Sequence, residues 1–126
     1  MPIQRKFDLP ASPDALSFSS PKPVFLLFIA SKDPATGESW CPDVRASLPH
    51  IEAAFAADDA PTVSFVEVGQ KPEWRERDNV FRTKWDVNNV PTLARFERVG
   101  DKVTEKGRMT EDGIMDPATL KAFMAY

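Results

Sequence analysis

Hydrophobic residues along the chain fall into patterned blocks separated by proline-rich and charged stretches. The run Val24-Phe25-Leu26-Leu27-Phe28-Ile29-Ala30 is apolar at every position, the pattern of a central strand covered on both faces. A polar loop, Ser31 to Ser39, leads into Trp40-Cys41-Pro42-Asp43. Beyond it Val44, Leu48, Ile51 and Phe55 recur at intervals of four, three and four, which is a helical stripe. Pro49 falls inside this helix and deletes one backbone donor, which predicts a kink; Asp58-Asp59-Ala60-Pro61 ends the segment.

Thr62 to Val68 reads as a second buried strand. Pro72 and Glu73 start a helical stretch carrying Trp74, Phe81 and Trp85, broken in two at Asp78-Asn79. Thr92 to Arg98 and Lys102 to Lys106 form an antiparallel pair around the turn Val99-Gly100-Asp101. Asp116 before Pro117 caps a last helix whose buried face is Leu120, Phe123 and Met124. Six of the twelve prolines lie in the first 34 residues, so residues 1–23 read as a looped segment with at most one short helix, started by Ser12-Pro13-Asp14. The order strand, helix, strand, helix, strand, strand, helix is that of an α/β sandwich whose mixed sheet carries helices on both faces.

Composition narrows the chemistry. A chain of 126 residues, 42% hydrophobic, suits a single domain over 1–126 that folds without a metal or a disulfide. One cysteine, Cys41, closes no intrachain bridge, and with one histidine, His50, it furnishes no zinc site. The formal charge of −3 has the wrong sign for a protein that neutralises phosphates, so no nucleic-acid partner is expected. The longest apolar run is seven residues, and none is expected to enter a membrane. The amino terminus lacks the apolar stretch of a signal peptide, and a lone thiol suits a reducing compartment, so the expected location is cytoplasmic.

Cys41 sits where the loop delivers the chain into the helix marked by Pro42. The first backbone N–H groups of that helix point towards the sulfur, and their partial positive charge favours a nucleophilic thiolate, with Asp43 acting in the opposite sense. The competing reading is a small buried apolar side chain. His50, nine residues on at about 100° each, falls on the opposite side of the helix and is no base for Cys41. Trp74 and Trp85, at helical spacing, are core residues without chemistry.

Ser31-Lys32-Asp33, Thr36-Gly37 and Ser39-Trp40-Cys41-Pro42-Asp43 together resemble the active-site region of the Clot-type thioredoxin-like proteins, a branch of the thioredoxin superfamily. The likeness continues through Val68-Gly69, Lys71-Pro72, Trp74, Asn79, Phe81-Arg82 and Val90-Pro91-Thr92-Leu93, so it covers about residues 24 to 98. The resemblance implies a thioredoxin-like fold, Cys41 as nucleophile, and Pro91 as a cis-proline facing it. It also implies that the edge at Val90 and Pro91 pairs with an extended substrate. Trp40 then covers one flank of the sulfur or serves as a packing residue, and Pro42, Asp43 and Val44 shape the site.

The departure from the pattern is Val44, where members with dithiol activity carry a second cysteine. Without an internal resolving thiol, the resemblance implies a protein-disulfide reductase of monothiol character. Its mixed disulfides with disulfide, S-nitrosothiol or glutathionylated partners are released by an external thiol, with thioredoxin reductase another candidate reductant. The alternative is a binding module that keeps the fold and the edge but not the turnover. No motif for a glutathione or flavin cofactor is recognisable, so none is expected. The strand Val24 to Ala30 carries no buried carboxylate to shuttle a proton, a role for which Asp33, Glu38 and Asp43 are the candidates. The loop Ser31 to Ser39 is expected to overhang the site and narrow the range of substrates.

Overall fold

The computed structural model describes residues 3–18 and 21–125. Met1, Pro2, Ser19, Ser20 and Tyr126, which fall inside the expected span 1–126, lie outside the described residues. Five strands form one sheet: β1 (Ile3–Gln4), β2 (Val24–Ile29), β3 (Thr62–Glu67), β4 (Thr92–Val99) and β5 (Lys102–Met109), in the spatial order β1-β3-β2-β4-β5. The first three strands are parallel, and β4 and β5 are antiparallel to their neighbours, so the sheet is mixed as expected. The helices are α1 (Pro42–Ala54), α2 (Lys71–Arg75), α3 (Val80–Thr83), α4 (Glu111–Ile114) and α5 (Pro117–Met124).

Alternation along β2 divides the core in two. Phe25, Leu27 and Ile29 join Val44, Ile51 and Phe55 of α1, with Ile114 and Leu120 of the C-terminal helices. Leu26 and Phe28 face the other way, onto Trp74, Trp85, Val87 and Phe96. This two-sided burial is why β2 is apolar throughout. Trp74 and Trp85 are core residues as expected, although Trp85 lies beyond the end of α3 at Thr83 and so not on the helix that its spacing implied.

Several local expectations differ from the structure. The looped segment 1–23 contributes an edge strand: Ile3 and Gln4 pair with Val63 and Ser64, and Gln4 Oε1 accepts a hydrogen bond from Ser64 Oγ at 3.1 Å. Two residues are too few to show a period. The short helix after Ser12 is a single 3-10 turn, Pro13–Ala15, without a side-chain cap, because the chain turns extended at Leu16 to bury that side chain in the second core. On α1 the buried positions are Val44, Ser47 and Ile51, while Leu48 is only partly covered and packs at the margin of the first core. The helical stretch after Pro72 is broken in two at Asn79, as expected, but both pieces are short: α2 stops at Arg75 and Asn79 caps the start of α3. Its side-chain nitrogen donates to the carbonyls of Trp74 and Glu76 at 3.0 and 2.9 Å, while its oxygen accepts from Arg82 N at 2.9 Å. The hairpin is longer than expected and reaches Met109, with one extra residue on β5 opposite Arg95 and Phe96. Asp116 caps α5 as expected, accepting from Ala118 N at 3.1 Å, and these contacts hold its carboxyl below its ordinary range, the Thr119 hydroxyl contributing most. Among the described residues no helix is long and apolar enough to cross a membrane.

Candidate active site

The topology brings two distant segments to one end of the sheet. β2 runs towards that end, and antiparallel β4 begins there, with Phe28 opposite Thr92. The chain leaving β2 through residues 30–41 therefore meets the chain entering β4 through Val90 and Pro91. Cys41 is the N-cap of α1, partly exposed, with Pro42 at the first helical position. Its sulfur lies 3.8 Å from the Val90 carbonyl oxygen, and the Val90–Pro91 peptide is cis, as the resemblance implied. Cys41 is thus neither sealed in the core nor remote from Pro91.

Ser39, the first residue of the Ser39–Asp43 motif, fixes the approach to Cys41. It is buried; its hydroxyl donates to the Ala30 carbonyl at 2.8 Å and accepts from Cys41 N at 3.3 Å. Its own carbonyl accepts from Arg45 Nη1 at 2.7 Å, so the first turn of α1 reaches back to hold the loop that precedes it. No local pattern reveals these contacts, which join the end of β2 to the start of α1.

Of the two roles that the sequence left open for Trp40, packing is the one the structure shows. Trp40 packs against both cores, and its Nε1 donates to the Gly69 carbonyl at 2.9 Å, which fixes the orientation of the indole. The Lys71 ammonium stands 5.9 Å from the ring centre, a cation–π contact at the outer edge of the useful range. Gly69 is required where it stands: its φ is +98°, and a Cβ there would lie 2.7 Å from Glu73 Oε2. Gly69 also exchanges hydrogen bonds with Ser31, accepting from its N–H at 3.2 Å and donating to its hydroxyl at 2.9 Å.

The loop 31–39 is closed on itself and tied to the neighbouring loop. Asp33 N donates to the Glu38 carbonyl at 2.7 Å, the Asp33 carboxylate accepts from Ala35 N at 2.9 Å, and Gln70 Nε2 donates to the Lys32 carbonyl at 2.7 Å. The Asp33 carboxylate is thereby engaged in turning the loop. Asp43 is engaged differently: its carboxyl shares a hydrogen bond with that of Glu111, at the start of α4, and this contact raises the Glu111 pKa above the ordinary carboxyl value. Removal of the like charge should therefore stabilise the protein only where both groups ionise. Glu111→Gln is expected to raise the thermal midpoint at pH 7, with the gain shrinking as the pH falls through the raised Glu111 pKa and gone once the ordinary value of 4.5 is passed, where Glu111 is protonated in both the folded and the unfolded chain. Thermal unfolding at the two pH values checks the sign.

Val44 is fully buried among Leu27, Ile51 and Phe55, so the position that departs from the pattern is a filled core site. His50 lines a groove of about 400 Å³ with Pro117, Leu120 and Met124, away from the cysteine. Among the described residues no cluster of histidine, cysteine or acidic side chains could hold a metal ion.

A β-α-β unit, an antiparallel hairpin and a cysteine at a helix start opposite a cis-proline define a thioredoxin-fold protein. Solved structures agree in fold. Trxlp from Edwardsiella tarda superposes with a TM-score of 0.56 at 16% identity, covering 86% of each chain. Trichomonas vaginalis thioredoxin does so with a TM-score of 0.53 at 17% identity, covering 82% of this chain and 78% of its own. Residues 11–121 match the thioredoxin domain of the thioredoxin domain-containing protein 17-like family, and the chain belongs to that family. Its relatives include human thioredoxin domain-containing protein 17, 38% identical over 82 residues, and thioredoxin domain-containing protein C21C3.12c of Schizosaccharomyces pombe, 41% identical over 75 residues. Thioredoxin-like protein Clot of Arabidopsis thaliana is 36% identical over 90 residues, covering 69% of this chain and 64% of the relative. The yeast and human matches each cover 60% of this chain and 60% and 61% of the respective relatives.

Proposed function

We propose that the protein is a thiol–disulfide exchange protein of monothiol character, working through Cys41. The observation that carries this reading is Cys41, a partly exposed residue at the start of α1 whose sulfur lies 3.8 Å from the Val90 carbonyl oxygen. Cys41, having given its proton to solvent, attacks one sulfur of a substrate disulfide. A new S–S bond joins Cys41 to the substrate, and the other sulfur departs as a thiolate that takes up a proton. Val44 supplies no second sulfur, so an external thiol such as glutathione attacks the substrate sulfur of the mixed disulfide: a glutathione–substrate S–S bond forms, and Cys41 departs as a thiolate that takes up a proton. Disulfide-bonded and glutathionylated proteins are the substrates this scheme accepts. S-nitrosothiols fit the same nucleophile, which would take over the nitroso group and leave the donor as a thiol. A free thiol as the working group suits a reducing compartment, and the cytoplasm is the proposed location.

The test is direct. The protein incubated with a model disulfide should form a covalent adduct of one substrate per chain, visible by intact mass and reversed by glutathione; Cys41→Ser should form none. The competing reading, a binding module, draws support from the valine that fills position 44 without disturbing the core. It requires instead that extended peptides bind while Cys41 stays unmodified by the disulfide.

A further inference from the structure

The edge that faces Cys41 is held from outside the site. Residues 85–89 lead into Val90, and their conformation is not one the chain adopts freely: Asp86 has φ of +53°, in the left-handed region that an aspartate occupies only when its surroundings favour it. The contacts that fix it come from β5. Arg108 Nη1 donates to the Asp86 carbonyl at 2.6 Å and Nη2 donates to the Trp85 carbonyl at 3.1 Å. On its other side the same guanidinium grips the Glu105 carboxylate at 2.6 and 2.8 Å, a bidentate pair. Glu105 and Asp86 both hold the arginine in its charged form, Glu105 more strongly.

The irregularity in the hairpin makes this grip possible. Residues three apart on a regular strand point to opposite faces. Here Arg95 pairs with Gly107 and Phe96 with Glu105, so Lys106 is the extra residue of a bulge. The bulge returns Glu105, opposite Phe96, to the face of Arg108, opposite Ala94, and that face is the one where Trp85 is buried. Beyond the arginine's reach, Val87 N donates to the Phe81 carbonyl at 3.0 Å, and Thr92 Oγ1 donates to the Asn89 carbonyl at 2.6 Å. The segment is thus pinned on either side of Val90.

We propose that Arg108, oriented by Glu105 across the bulge, is a positioning residue that sets the Val90 main chain against Cys41, so that an extended peptide aligns its disulfide with the sulfur. The inference rests on the exchange chemistry proposed above and adds to it a device for substrates that possess a main chain. A small disulfide needs only the sulfur; a peptide disulfide needs the edge as well.

The experiment compares two probes with one leaving group: dithionitrobenzoate, and a ten-residue peptide whose single cysteine is joined to thionitrobenzoate. In each, Cys41 displaces thionitrobenzoate, whose release is followed by its colour. The wild type should favour the peptide. In Arg108→Ala the ratio of peptide rate to small-disulfide rate should fall about tenfold, the half-saturating peptide concentration should rise, and Arg108→Lys should restore only part of the loss. Glu105→Gln, which leaves the arginine present but less firmly oriented, should shift the ratio in the same direction, and it carries the test if Arg108→Ala fails to unfold cooperatively. An unchanged ratio in folded variants overturns the positioning role while leaving Cys41 chemistry intact. A wild type that reacts with neither probe overturns the exchange reading and this inference with it. A wild type without preference for the peptide overturns the role of the edge.

Discussion

Val44→Cys is expected to turn a mixed disulfide that persists until an external thiol arrives into one that releases its substrate unaided, faster by about a hundredfold or more. The expectation follows from proximity. Position 44 lies three residues after Cys41, and residues at that spacing are neighbours on a helix surface. A well-placed intramolecular group acts at an effective concentration far above the millimolar range of a free cellular thiol. Val44 has no exposed surface and belongs to the core against which Cys41 packs, so a sulfur there would lie under the site, shielded from competing reagents. The smaller side chain leaves unfilled volume, and by analogy with the loss of one buried methyl group the cost should be about 1 kcal/mol, too little to unfold a domain. Preformed Cys41 adduct, freed of excess thiol and followed by intact mass, measures the release. Turnover of a disulfide with thioredoxin reductase and NADPH should rise in parallel. If the folded variant keeps its adduct as long as the wild type does, position 44 is not within reach of the Cys41 sulfur, and the comparison with dithiol sites loses its basis.

What the sequence could reveal about this site divides by range. Cys41 at a helix start, the helical stripe of α1 and the buried strand β2 are encoded by residues near one another, and their periodicity and capping residues expose them directly. The facing Val90–Pro91 edge was legible only through the likeness of several separated motifs to a known family, because the dipeptide alone does not specify a cis bond. Ser39, Arg45 and the Asp43–Glu111 pair were not legible as a constellation. Each depends on a single side chain meeting a partner that the pattern does not place, and Glu111 lies on a four-residue helix too short to register as periodic. The stripe on α1 illustrates the limit: hydrophobicity marks Leu48 for burial, whereas the structure buries the small polar Ser47 and leaves Leu48 only partly covered. Likewise the bulge that lets Glu105 meet Arg108 has no signature in a strand whose residues are mostly polar. Local order in this chain follows from its pattern; the supports of the site follow from the topology.

Phe25→Ala should be the most destabilising of the substitutions considered, at about 3–5 kcal/mol, and should do so while leaving the reactivity of Cys41 in the folded protein largely unaltered. Phe25 is fully buried, and its ring meets Phe55 edge-on at 5.5 Å and Phe123 at 5.7 Å, so one side chain of β2 joins the end of α1 to α5. The same ring lies 5.6 Å from the Arg95 guanidinium, which donates to the Phe123 carbonyl at 2.7 Å and to that of Ala125. Helix α5 has eight residues and one buried side chain, Leu120, so its docking depends on this cluster far more than on its own helical propensity. A domain of this size has a net stability of roughly 5–15 kcal/mol, which makes the loss large enough to shift the urea midpoint strongly or to populate the unfolded state in buffer. The separation of effects follows from the strand: Phe25 and Ile29 are about 13 Å apart along β2, and Cys41 lies beyond the far end. Urea unfolding combined with the rate of dithionitrobenzoate reaction under folding conditions checks both parts. A loss below about 1 kcal/mol would mean that α5 does not dock on β2 as described, because a cavity of that size in a close-packed core is never so cheap.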